Sequence, residues 1–188
     1  MESEIDLMRK NIRRLVENEI KPGVKDWEKK GQIPESIISR LSELGIFALT
    51  VPEEEGGIGY GATALTTSLE ELARGSASVS LIVLLQNSII AKTLSLAGEK
   101  SLLSQLIEGS LLGGGGVFDR SFDFQSNQLT AAGEFLIYSP GKVFVLMDQN
   151  RTYLLKDGIE VQPTTDVLAF HGAGIGSFKV ESGPVAFS

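Results

Sequence analysis

The chain has 188 residues, with 17 Lys and Arg against 24 Asp and Glu, a net charge of −7, one histidine and no cysteine. An acidic balance excludes nonspecific nucleic-acid binding, which needs cations to displace phosphate counterions, and the lack of cysteine excludes a disulfide framework, a thiolate nucleophile and a Cys-type metal site. At 42% hydrophobic residues the chain can bury the core of one domain or of two small ones.

Met1-Glu2-Ser3-Glu4 is acidic where a secretory signal is basic and then apolar, so a cytoplasmic protein is expected. Ser3 is fit to cap a helix in which Ile5, Met8, Ile12, Leu15 and Val16 recur at helical spacing until Pro22, which is expected to end it. Pro34 suits the first position of a second helix, carrying Ile37, Ile38, Leu41 and Leu44 on one face, and Gly45 suits its left-handed cap. The apolar run 46–51 then reads as extended. Pro52 keeps the helix from resuming, Glu53, Glu54 and Glu55 read as a solvated acidic turn, and Gly56, Gly57 and Gly59 permit a tight return. Leu65, Leu69 and Leu72 mark a third helix stopping near Gly75. Ser76 or Ser78 caps a fourth, whose apolar positions Val79, 81–85, Ile89, Ile90 and Leu94 nearly surround it, so its neighbours must bury it. Its richest run, 79–85, is too short for a bilayer span, and no membrane association is expected. Gly98 ends this helix, and residues 99–108 form a short last one before Gly109. Trp27 and Phe47 read as core or interface anchors.

From about residue 110 helical periodicity gives way to short β-prone runs. Strands are expected near 111–118, 128–131, 134–138, 143–147, 152–155, 158–162 and 178–180, with turns at Ser139-Pro140-Gly141 and Asp157-Gly158. The four glycines 113–116 are not followed by Gly-Lys-Ser/Thr, so they read as an interdomain hinge rather than a phosphate loop. His171, among Gly172, Gly174 and Gly176, reads as a loop residue; one histidine builds no metal site, and none is expected. The fold class that follows is α+β: an N-terminal all-α helical domain over 1–109, then a small antiparallel β-barrel-like or sandwich domain over 110–188.

The order of these motifs carries a resemblance. Leu44-Gly45, an apolar run, then Val51-Pro52-Glu53-Glu54 and Gly56-Gly57-Ile58-Gly59 resemble the first-domain signature of the acyl-CoA dehydrogenase family. Ile20-Lys21-Pro22, Trp27 and Gly31-Gln32-Ile33-Pro34 resemble its opening helix and turn, and Glu70-Glu71-Leu72-Ala73-Arg74-Gly75-Ser76-Ala77-Ser78 resembles the segment that begins its next helix pair. Leu129-Thr130-Ala131 and Gly141-Lys142 resemble landmarks of its middle β domain. The resemblance implies FAD as cofactor, acyl-CoA thioesters as substrates and their α,β-desaturation as the reaction. It also places the segments that hold the isoalloxazine ring on residues 115–123 and 141–146, which makes Phe118, Ser121, Phe144 and Leu146 the candidate FAD contacts. Phe118 stands where a family threonine offers a hydroxyl to the flavin, Leu146 where another does, Phe144 is suited to pack on a ring face, and Ser121 and Asp123 keep the family's chemical type. Residues 183–187 resemble the close of the family's β domain, beyond which the family carries a helical domain with the glutamate general base. The resemblance thus assigns no catalytic residue to this chain and implies a homo-oligomer or a partner subunit supplying that helical domain. The alternative is a non-catalytic scaffolding or binding relative with a degenerate flavin site.

Overall fold

A computed structural model describes residues 3–137, 141–164 and 169–185, with the side chains of 182–184 outside the description. The expected turn residues Ser139 and Pro140, the expected strand residue Tyr138, and Ala186 and Phe187 lie outside the described residues.

Ser3 caps α1 (Glu4–Leu15) by accepting the Asp6 N–H. The helix does not stop at Pro22. A π-turn, Val16–Ile20, leads straight into α2 (Lys21–Lys30), with the Lys21 N–H bonded to the Val16 carbonyl, five residues back. This wide turn re-spaces the ladder so that Pro22 falls in a first turn, where a missing donor leaves nothing unpaired. Gly31, at φ 69°, caps the combined helix. The Arg13 guanidinium grips the buried Glu71 carboxylate through Nε at 3.0 Å and Nη2 at 2.6 Å, pinning α1 to α4 (Gly61–Ala73). Those hydrogen bonds hold the Glu71 carboxyl below its ordinary value against the opposing effect of burial.

α3 (Glu35–Glu43) begins after Pro34, which sits at the cap rather than inside the first turn, and ends where Gly45 takes φ 69°. The apolar run that follows is not extended. Ile46–Ala48 form a 3-10 turn, and the return segment beyond the acidic turn donates to it: Ile58 N–H to Ala48 O, Gly59 N–H to Val51 O and Gly61 N–H to Leu49 O, at 2.9–3.0 Å. Folding the run on itself pairs its backbone and buries Ile46, Phe47, Ala48, Leu49 and Val51 together. Glu53 and Glu54 are exposed, whereas Glu55 is half-buried and accepts from Ser95 Oγ at 3.0 Å.

The fourth helical stretch runs unbroken over Ala77–Leu96, as α5 (Ala77–Leu85), a second π-turn (Gln86–Ile90) and α6 (Ala91–Leu96). Ser76 caps it by accepting the Val79 N–H. At 20 residues it is long and apolar enough, by length and composition, to cross a bilayer; here more than half of it is packed inside the protein. Val79, Ile82, Val83, Leu85, Ile90 and Leu94 are all buried, each contributing about 1.5–3 kcal/mol by leaving water. α7 (Lys100–Ile107) packs beside α6.

Among the described residues, the remaining chain forms one mixed sheet of seven strands: β1 (Gly113–Val117), β2 (Asp123–Gln125), β3 (Gln128–Ile137), β4 (Val143–Met147), β5 (Thr152–Leu155), β6 (Glu160–Pro163) and β7 (Ile175–Pro184). The order is β5-β4-β1-β3-β7-β6, with β2 alongside β3; β1 and β4 are parallel and every other pair is antiparallel. β3 is a single bulged strand where two were expected, and β2 was not anticipated from the sequence. The glycine run is neither hinge nor loop but the buried central strand β1. A Cβ on Gly113 would lie 2.6 Å from Ile90 Cγ2, one on Gly114 2.6 Å from the Phe144 ring, and one on Gly115 2.5 Å from the Val145 carbonyl, so the neighbours themselves require glycine. β4 divides two cores. Val143 and Val145 join the helical core, while Phe144 and Leu146 face an aromatic cluster inside the sheet.

Candidate functional site

The parallel pairing of β1 with β4 sets Gly116 opposite Leu146 and Val117 opposite Met147, so the chain emerges at Phe118 beside the end of β4. Three of the four candidate contacts meet there. Phe118 and Leu146 are buried, and Phe144 packs partly buried against the same cluster. The Phe118 ring folds back over its own strand, 2.8 Å from where a Cβ of Gly116 would stand, and meets Phe178 at 5.0 Å and Phe122 at 5.6 Å between centroids. Ser121 lies apart, on the exposed loop after β1, where its Oγ accepts from Asn150 at 2.9 Å.

The turn between β4 and β5 clamps that loop. Asp148 Oδ1 accepts the Asn150 and Arg151 N–H groups at 2.7 Å, and its Oδ2 accepts the Phe122 N–H at 2.9 Å and the Tyr153 hydroxyl at 3.0 Å. Burial works to raise the Asp148 pKa, but these donors outweigh it and hold the carboxyl below its ordinary value. Burial, together with the bond to Asp148, pushes the Tyr153 hydroxyl up to about 12. Gln149 Nε2 donates to Asp119 Oδ1 at 2.8 Å and completes the clamp.

Beside this edge opens a cleft of about 700 Å³, with Phe118, Gly133 and Phe178 among its walls and Val117, Arg120, Glu134, Phe135 and Lys179 also lining it. Its size is that of a ligand pocket. The hydroxyl donors that the resemblance places at positions 118 and 146 are not there. Phe118 and Leu146 replace the two hydroxyls with buried hydrocarbon, the Phe118 N–H is taken by the Met147 carbonyl at 2.8 Å, and Ser121, which keeps its hydroxyl proton for donation, lies apart on the loop where its Oγ accepts from Asn150. The residues present do not fit an isoalloxazine ring at this edge in the way the resemblance implies. His171 sits half-buried in a 3-10 turn, His171–Ala173, whose Gly172 N–H is held by Glu28 Oε2 at 3.1 Å.

Two polar residues that sequence reasoning passed over tie the long helix to the start of β1 and to the connector. Gln86, in the π-turn, clasps the first peptide of β1, with Nε2 donating to the Gly113 carbonyl at 2.9 Å and Oε1 accepting the Gly113 N–H at 2.8 Å. Asn87 Nδ2 donates to the Ile46 carbonyl at 2.9 Å, and the Asn87 carbonyl accepts from Thr50 Oγ1 at 2.9 Å. Their signal was available: two adjacent amides inside an otherwise apolar helix.

Comparison with known proteins agrees with this architecture. The chain is 32% identical over 118 residues to (2S)-methylsuccinyl-CoA dehydrogenase of Cereibacter sphaeroides, a match covering 60% of this chain and 21% of that protein. It is 32% identical over 101 residues to the mitochondrial short-chain specific acyl-CoA dehydrogenase of Sus scrofa, covering 54% of this chain and 24% of that protein. The fold superposes on a glutaryl-coenzyme A dehydrogenase in complex with glutaryl-CoA with a TM-score of 0.84 at 19% identity, covering 98% of this chain and 55% of that one. The match thus spans about a quarter or less of these two curated relatives and about half of the solved structure. The pattern of the "Acyl-CoA dehydrogenase, N-terminal domain" family matches residues 2–111, more than half of the chain, and the chain therefore belongs to the acyl-CoA dehydrogenase family.

Proposed function

We propose that this chain serves the α,β-desaturation of an acyl-CoA thioester as a component that does not retain FAD by itself, and that the reaction calls on residues outside 1–188 to hold the flavin and supply the general base. The observation that supports this reading is the pairing of β1 and β4, which sets Phe118 and Leu146 together, buried, at one edge of the sheet. Removing the α-proton needs a base within hydrogen-bond reach; Asp148, beside this edge, already accepts four hydrogen bonds, and Asp119 accepts one from Gln149. The test is a visible spectrum of the purified chain, an FAD titration, and an acyl-CoA oxidation assay with an artificial electron acceptor. We expect a colourless protein, weak or no FAD binding and no turnover; a flavin that stays bound through gel filtration, or turnover by the chain alone, overturns the reading.

A second reading, a non-catalytic scaffolding or binding relative, is favoured by one observation: the Phe118 ring fills its own edge and packs on Phe122 and Phe178. The Phe118→Thr/Leu146→Thr double variant separates the two. Gained FAD affinity supports a component awaiting a partner, whereas a folded variant that still ignores FAD supports the scaffold.

A further inference from the structure

A pocket lies in the helical half, away from the sheet. The turn after α3, the start of α4 and residues 87–95 of the long helix enclose about 350 Å³ between them. Val51, Leu65 and Ala91 are buried at its floor, while Ala62 and Lys92 stand exposed at its mouth. The walls are tied to one another, because Asn87 Nδ2 donates to the Ile46 and Val83 carbonyls and the Asn87 carbonyl accepts from Thr50 Oγ1.

Glu55, on the wall of this pocket, is a group that packing does not explain. It belongs to an acidic turn whose other two members, Glu53 and Glu54, are exposed, yet it is half-buried. Its Oε1 accepts from Ser95 Oγ at 3.0 Å, but its Oε2 is buried and meets no donor among the described residues. A buried acceptor left unpaired costs stability and calls for an explanation in function. The last torsion of a glutamate is soft, so Oε2 can swing into the pocket while the backbone of the turn stays in place. Lys92 brings the opposite charge to the mouth and enters no ion pair among the described residues. An anion on the wall, a cation at the mouth and hydrocarbon on the floor complement a molecule that carries an ammonium, a carboxylate and a short apolar body. We propose that this pocket binds a small amino acid, its ammonium on Glu55, its hydrocarbon against Val51, Leu65 and Ala91, and its carboxylate toward Lys92. The site stands independently of any flavin or thioester.

Calorimetric titration of the full chain with L-leucine and with δ-aminovalerate tests this, and the two probes tell an α-amino acid from an ω-amino acid. We expect one of them to bind with a Kd of about 1 mM or below. Butylamine and valerate, each with a single charge, should bind at least fivefold more weakly. Glu55→Gln keeps an acceptor for Ser95 and removes the charge, so binding should fall at least tenfold with the thermal midpoint unchanged. Lys92→Met should weaken the amino acid several-fold and leave butylamine as it was. Ala62→Phe, at an exposed position, should fill the mouth and abolish binding of every probe. No saturable binding of either amino acid up to about 10 mM, single-charge probes that bind as well, or binding indifferent to any of the three substitutions would each overturn the proposal. A Glu55→Gln chain that melts several degrees lower would show that the carboxylate serves the fold, and would overturn it too.

Discussion

The helical half and the sheet half are held together by different means. Among the helices, buried polar groups reach across elements: Arg13 to Glu71, Ser78 Oγ to Glu28 Oε1 at 2.5 Å, Asn87 to Ile46 and Thr50, and Gln86 to Gly113. Inside the sheet the core is filled chiefly by rings, with the polar clamp of Asp148 at its edge. Phe118, Phe122, Phe124, Phe178 and Tyr153 stand 5.0–6.2 Å apart between centroids. Polar ties fix which residue meets which, because a mismatch leaves a buried group unpaired. Aromatic filling tolerates exchange as long as volume is kept. The family pattern is recognisable through residue 111, whereas the superposition continues over 98% of the chain. The likeness of the sheet is one of fold, and the candidate flavin edge lies beyond the residues that the family pattern matches.

The seam between the halves is where this contrast breaks most sharply. Gln86→Leu leaves the Gly113 N–H and carbonyl buried without partners, at about 1–3 kcal/mol each, so a loss of about 3–5 kcal/mol is expected in urea denaturation. A loss below about 1 kcal/mol would show that the amide is not the tie. Gly115→Ala comes next, because its Cβ would meet a backbone carbonyl rather than a side chain able to turn aside; about 2–3 kcal/mol is expected, read by the same measurement.

Titration sharpens the comparison. The Glu71 carboxyl is depressed in the folded state, so its contribution is complete above its unfolded value near 4.5 and is lost as pH falls through the depressed one. Arg13→Leu should therefore flatten the acid limb of stability below the unfolded value near 4.5. An acid limb unchanged in this variant would remove the ion pair from the account. In the sheet the sign is opposite for Tyr153: a hydroxyl raised from 10.0 to about 12 stabilises below pH 10 and loses that contribution as pH climbs to 12. Tyr153→Phe should cost about 1 kcal/mol at neutral pH and abolish that alkaline loss, checked by denaturation at pH 8 and pH 11.5.

Periodicity and caps made most of the helical half legible before the fold was known. Gly45, Ser76 and Gly98 stop or start helices where expected, because a left-handed cap or a hydroxyl cap is a local requirement. Pro22 misled because its tolerance depends on a π-turn, which has no signature in residue type. The run 46–51 misled because its partners, residues 58–61, lie beyond an intervening turn. The glycines of β1 carry no side chains from which to read a strand; only Ile90, Phe144 and Val145, distant in sequence, explain them. At the site, resemblance placed Phe118, Phe144 and Leu146 together and the parallel pairing brings them there, while Ser121 falls to a different neighbour, Asn150, through the clamp around Asp148.

The wide turn at Val16–Ile20 lets residues 4–30 run as one rod of about 40 Å at 1.5 Å per residue. Near one end Glu4 accepts the Tyr60 hydroxyl at 2.6 Å, and near the other Glu28 holds the turn at Gly172. The rod is a splint laid along the molecule, touching the connector at its start and the last strand's approach at its finish. The connector and the turn before β7 are thereby tied to the two ends of one continuous helical stretch.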